Sequence, residues 1–165
     1  MKKNLILCKS VHHHNTWKVA EAMARVLDAE VVSPDEFPYT SLDDHDIIGF
    51  GSGIYYGGVH PDLMEWVRGL PSAPLGSRRG FVFSTSGLPL LWRLWHRPLM
   101  AELHRKGFTV IGEFHCRGFD SWGPLWLTGG IHRHHPDSHD LERATGFART
   151  ILEQSSPKRV FKVAG

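Results

Sequence analysis

Cysteine is scarce. Cys8 and Cys116 are the two in 165 residues, which excludes a disulfide framework, and their apolar surroundings predict buried, inert thiols. Long apolar runs are missing, so no membrane-spanning helix is expected. The basic start Met1-Lys2-Lys3 leads into an apolar stretch too short for a signal-peptide core and without a small-residue cleavage site; a cytoplasmic protein is expected. Charge of one sign is not in excess either. The formal net charge of +2 is too small to argue for nucleic acid, and no basic stripe interleaved with aromatics occurs. Neither G-x-G-x-x-G nor G-x-x-x-x-G-K-[ST] follows the first strand, and G-x-S-x-G is absent. These absences argue against a conventional NAD-binding domain, a nucleotide hydrolase and a nucleophile-elbow hydrolase, and no catalytic residue is assigned.

What is present is an ordinary globular composition, 41% apolar and 22% charged, with no internal repeat. One domain over residues 1–155 is expected, with 156–165 as a C-terminal tail. Strand and helix signals alternate. Strands are predicted at Asn4–Lys9, Glu30–Ser33, Asp46–Gly51, Gly80–Ser84 and Phe108–Cys116. Helices are predicted at Trp17–Asp28, Pro61–Leu70 and Leu99–Lys106, the last stopped by Gly107, with a final helix capped by Asp137 or Ser138. This order predicts a doubly wound α/β domain with a parallel sheet, whose ligands bind outside the carboxyl ends of the strands.

The strand-end segments carry the functional signal. Ser10-Val11-His12-His13-His14-Asn15-Thr16 is a polar turn from a strand into a helix. Helix N-termini offer unpaired N–H groups and a positive dipole end, which suits a phosphate. The other strand ends carry Ser52-Gly53-Ile54-Tyr55-Tyr56-Gly57, Thr85-Ser86-Gly87 and Gly118-Phe119-Asp120-Ser121-Trp122. Glycine permits close backbone approach, and tyrosine and tryptophan offer flat faces to a planar ring. One such loop would be an ordinary turn; together at one edge they predict a ligand site.

These residues resemble the flavodoxin family. The resemblance covers nearly the whole chain and rests on Ser10-x-x-x-x-Asn15-Thr16, Gly-Ser-Gly-Ile-Tyr-Tyr-Gly at 51–57, Phe-Ser-Thr-Ser-Gly at 83–87 and Cys-Arg-Gly-Phe-Asp at 116–120. It implies a three-layer sandwich around a five-stranded parallel sheet of order 2-1-3-4-5, with FMN at the strand-end edge. Ser10, Asn15 and Thr16 carry over as phosphate contacts. Residues 52–57 and 85–87 would flank the isoalloxazine, and 117–123 would close over it. Two departures stand out: His14 occupies the position of the usual glycine before Asn-Thr, and the chain is slightly basic where soluble carriers are usually acidic.

The 12 histidines cluster at 12–14 and 132–139. His12, His13 and His14 are read as imidazoles facing a phosphate, which raises a neighbouring histidine's pKa. Adjacent histidines are poorly spaced for one metal ion, so no metal is assigned, although His12 or His14 with His132, His134, His135 or His139 is the alternative. Asp120 is read as a turn residue. The apolar segment Leu88–Pro98 is read as a short packed helix, or else as a patch for a partner, a peripheral apolar contact or a hydrophobic acceptor.

The functional expectation is an FMN-binding electron-transfer protein. Its partner would be a redox protein or a small-molecule acceptor, with no nucleic acid and no integral membrane segment. Two alternatives remain. One is a flavin-dependent oxidoreductase acting on a quinone or a tetrapyrrole-type substrate. The other is a module that kept the fold and lost FMN, for which His14 is the motive.

Overall fold

A computed structural model of the chain describes residues 3–11, 14–87, 90–118 and 134–155. The elements run β1 (Lys3–Lys9), α1 (Asn15–Leu27), β2 (Ala29–Val32), β3 (His45–Tyr55), β4 (Gly58–Val59), α2 (Pro61–Gly69), β5 (Arg78–Ser86), α3 (Trp92–Arg105), β6 (Phe108–Arg117) and α4 (Ser138–Ser155), with short 3-10 turns between β2 and β3. The tail beyond Ser155 lies outside the described residues.

The sheet order is β2-β1-β3-β5-β6, and every pairing along that path is parallel. This is the expected doubly wound sandwich and strand order. The added strand is β4, two residues that fold back antiparallel on the end of β3. The turn between them has positive φ at Tyr56 (51°) and Gly57 (77°), the backbone that a tight hairpin demands.

Alternation along the strands divides the core in two. Ile6, Cys8, Phe81, Phe83, Phe114 and Cys116 face α1 and α4. Leu5, Leu7, Phe50, Val82 and Phe108 face α2 and α3. The near-continuous apolar run in β3 is explained by this cover on both faces. Its glycines have a second use. Gly49 and Gly51 pair with Phe81 and Phe83, and a Cβ on Gly51 would lie 2.1 Å from the Phe83 ring. The two phenylalanines lie over the space that side chains on β3 would fill.

The helices follow their apolar stripes. α1 buries Val19, Met23 and Leu27; α2 buries Leu63, Trp66 and Val67, with Pro61 in its first turn. Gly107, at φ 90°, ends α3 as expected. The start of α3 differs from expectation. It begins at Trp92, not Leu99, with Pro98 inside it. Proline marks a helix boundary by removing one N–H bond and crowding one carbonyl. Here the burial of His96, Leu99 and Leu103 on one side carries the helix through it. Cys8 and Cys116 are free and buried, and burial pushes both thiols up in pKa.

Candidate functional site

The parallel order brings the carboxyl ends of β1, β3, β5 and β6 to one edge of the sheet. The turn after β1 enters α1 through His14, whose carbonyl accepts the Lys18 N–H at 3.0 Å. His14 takes φ 51° and ψ 27°, the left-handed region that glycine enters without steric cost. The departure in residue type therefore comes with a glycine-type backbone. Its side chain is exposed and makes no capping bond. Asn15 and Thr16 are buried at the first turn of α1.

Thr16 and Thr85 share a hydrogen bond at 2.8 Å between their hydroxyls, which joins the start of α1 to the end of β5. The Gly118 N–H donates to the Ser86 carbonyl at 3.0 Å. A Cβ at Gly118 would sit 3.0 Å from Asn15 Nδ2 and 3.2 Å from Thr85 Cβ. Glycine there lets the start of α1 and the ends of β5 and β6 close together. Gly87 follows directly, buried at the end of β5.

The segment after β3 is less uniform. Ser52 is fully buried; its hydroxyl donates to the Gly53 carbonyl at 2.5 Å and accepts the His60 N–H at 2.8 Å. It fastens the turn into α2. Tyr55 folds over Gly53, and its hydroxyl accepts the Val11 N–H at 3.4 Å, so it reaches the turn after β1. Ile54 is half-buried in the hairpin. Tyr56 stands at the tip, 88% exposed, and Gly57 lies beside Trp95. Ser10 is half-buried at the end of β1. Of the residues expected to contact a ligand, His12, His13, Phe119, Asp120 and Trp122 lie outside the described residues, as do Leu88 and Pro89 of the apolar segment. Leu90, Leu91 and Leu94 of that segment are exposed at the start of α3.

Sequence reasoning missed a second polar cluster beside this edge. Ser84 Oγ lies 2.7 Å from His96 Nε2 and 3.0 Å from His115 Nδ1. His115 Nε2 lies 3.4 Å from Ser86 Oγ, and His96 Nδ1 lies 3.0 Å from Glu113 Oε2. Strand alternation points Ser84, Ser86, Glu113 and His115 to the α3 side, where His96 projects from the buried stripe. Trp92 stacks on His115, with ring centroids 5.6 Å apart and planes at 11°. Burial holds the His96 and His115 imidazoles down to about 4, assisted at His115 by His96 and Arg143. Both are neutral near pH 7. Burial raises the Glu113 carboxyl, opposed by Arg93. The available signal was polar residues at alternate positions of a strand, Glu113 and His115, and a histidine three residues before a core leucine, Leu99.

One further group has ligand-type side chains close together: His135, Asp137 and Asp140. The Asp137 carboxylate accepts the Asp140 N–H at 2.9 Å, and the Asp140 carboxylate accepts the Asp137 N–H at 3.2 Å. This reciprocal pattern caps α4 and accounts for both aspartates without a metal. Among the described residues, no helix is long and apolar enough to cross a membrane.

Comparison with known proteins agrees with this architecture. The flavodoxin domain model matches residues 5–89. An uncharacterized protein of Methanocaldococcus jannaschii is 38% identical over 151 residues, covering 92% of this chain and 99% of that protein. The chain belongs to the flavodoxin family. Among solved structures, oxidised flavodoxin 1 of Bacillus cereus superposes with a TM-score of 0.70 at 18% identity, covering 93% of this chain and 100% of that one. A WrbA-like flavodoxin of Agrobacterium tumefaciens gives 0.65 at 17% identity, covering 94% and 98%.

Proposed function

We propose that this chain binds FMN at the carboxyl edge of its sheet and works as a cytoplasmic electron-transfer protein. The observation that carries this reading is the junction of Asn15, Thr16, Thr85 and Gly118, where the start of α1 meets the ends of β5 and β6. The residues fit the group. The first turn of α1 offers N–H donors, the Thr16 hydroxyl and the Asn15 amide, and no carboxylate in the turn itself; this set suits a phosphate dianion. Ser10, His14, Asn15 and Thr16, together with His12 and His13, would hold that phosphate. Ser52 to Gly57, Thr85 to Gly87, and Gly118 with Phe119, Asp120 and Trp122 would flank the ring. Bound there, FMN supplies acceptance and release of electrons, while the chain binds and orients it.

The absorption spectrum of the purified protein tests the reading. Flavin bands, or quenching of FMN fluorescence on titration, are expected. A colourless protein that takes up no FMN would be the module that lost its cofactor, and His14→Gly would then be the variant expected to restore binding.

A second reading has its own support. Tyr56, Leu90, Leu91 and Leu94 expose apolar surface at the same edge, which favours a hydrophobic acceptor such as a quinone or a tetrapyrrole over a polar one. Steady-state turnover with NAD(P)H and a quinone would support the enzyme. No turnover, with fast electron exchange to a redox protein, would support the carrier.

A further inference from the structure

The cluster around Ser84 forms one unbroken line of side chains: Glu113, His96, Ser84, His115, Ser86. Its two ends lie at different points along the sheet. Glu113 is a quarter exposed and lines a cleft of about 460 Å³ along β6, together with Trp92, Arg93, His115, Arg117 and Arg143. Ser86 stands at the end of β5, beside Gly87 in the edge assigned to FMN. Between them His96 and Ser84 are fully buried and His115 nearly so.

We propose that this line is a proton conduit between the cleft and the strand-end site. The inference rests on the FMN reading. Each member can both donate and accept, so the line is self-consistent in two polarities. In one, Glu113 is ionised and both imidazoles carry Nδ1–H. Ser86 then donates to His115 Nε2, His115 Nδ1–H to Ser84, Ser84 to His96 Nε2, and His96 Nδ1–H to Glu113. In the other, Glu113 is a carboxylic acid, both imidazoles carry Nε2–H, and every bond points the opposite way.

Moving one proton inward converts the second polarity into the first. Glu113 gives its proton to His96 Nδ1, His96 Nε2 to Ser84, Ser84 to His115 Nδ1, His115 Nε2 to Ser86, and Ser86 to an acceptor at the strand end. One proton leaves Glu113, one reaches the acceptor, and no electron passes along the line. Flavin reduction supplies the need for an inward proton, because electrons added to the ring raise its basicity. Reoxidation returns the proton by the same bonds, so a reversible carrier needs no ring flips. Burial leaves the line uncharged in the middle. Of the groups that face it, His96 and Arg143 reinforce this at His115 while Asp140 of α4 opposes it, and Arg93 of α3 faces Glu113.

Stopped-flow reduction of the FMN-loaded protein tests this. Reduced methyl viologen delivers electrons without protons, and the absorption spectrum of the reduced ring, which differs between its protonated and unprotonated forms, reads proton uptake by the ring. Ser84→Ala should slow uptake by about a hundredfold, the lower range of a positioned proton-transfer group, with FMN affinity unchanged within about twofold. Glu113→Gln keeps a hydrogen-bonding group but cannot release a proton; it should slow uptake equally and covers the case in which Ser84→Ala fails to fold. Uptake at the wild-type rate in a folded variant overturns the conduit and leaves the FMN reading intact. Failure of the wild type to bind FMN overturns both. Nitrogen-15 NMR of the histidine rings gives an independent readout: His96 and His115 should show the same tautomer, and opposite tautomers overturn the conduit.

Discussion

The Thr16–Thr85 pair shows how much one buried contact decides. Its two hydroxyls meet at 2.8 Å in a buried position, and no apolar group can replace one of them without stranding the other. Thr16→Val or Thr85→Val alone should cost about 1–3 kcal/mol in urea unfolding, and the double variant should recover most of that loss. Equal and additive losses would mean that the pair is not coupled. His96 and His115 set the response to acid. Their pKa values lie near 4 in the fold against 6.5 for the free group. Between those values the unfolded chain binds more protons than the folded one, so stability is full above about pH 6.5 and falls as pH drops toward 4. The loss should be on the order of 3 kcal/mol for each imidazole. Urea midpoints at pH 7 and pH 4.5 would check it, and an unchanged midpoint would contradict the burial of both rings. The turn from β1 into α1 was legible in the sequence because a helix start writes itself locally, as Ser10, Asn15 and Thr16 do. The histidine line was not, because Ser84, His96, Glu113 and His115 meet only after two strands pair and a helix crosses them.

β3 and α3 give opposite lessons. β3 was readable from Asp46-Ile47-Ile48-Gly49-Phe50-Gly51 because a strand covered on both faces is apolar throughout. The purpose of its glycines was not readable, since it depends on the register that sets Phe81 against Gly49 and Phe83 against Gly51. Gly51→Ala would place a methyl group against the rigid Phe83 ring. It should destabilise by about 1–3 kcal/mol or prevent folding. Gly51→Ala combined with Phe83→Leu should recover part of that loss, and thermal melts of both variants would show it. In α3 a local signal misled. Pro98 marks a break by its chemistry, yet packing on both sides of it holds the helix together. Its first five residues supply Trp92, Leu94 and His96 to three different surroundings: the His115 ring, solvent and the buried polar line.

The molecule as a whole is fastened at the edge opposite its candidate site. Arg78, at the start of β5, is nearly buried and holds Asp43 through two bonds and the carbonyls of Pro71 and Lys106 through two more. Lys106 in turn donates to the carbonyls of Arg68 and Leu70. Arg78→Ala should therefore lower stability by about 1–3 kcal/mol, the cost of leaving the Pro71 and Lys106 carbonyls without their donor, while the exposed Asp43 carboxylate returns to water. FMN affinity should stay unchanged, because none of these groups lies near the strand ends; calorimetry and an FMN titration would separate the two effects, and a parallel loss of affinity would contradict the separation. The order of the strands was legible through the family resemblance. This rivet was not, since a lone arginine opening a strand carries no local signature. It has a consequence for descent. With the foundation riveted at one rim, insertions, deletions and exchanges at the opposite rim need not disturb it, so successive generations of such chains are free to reshape that rim while inheriting the same frame.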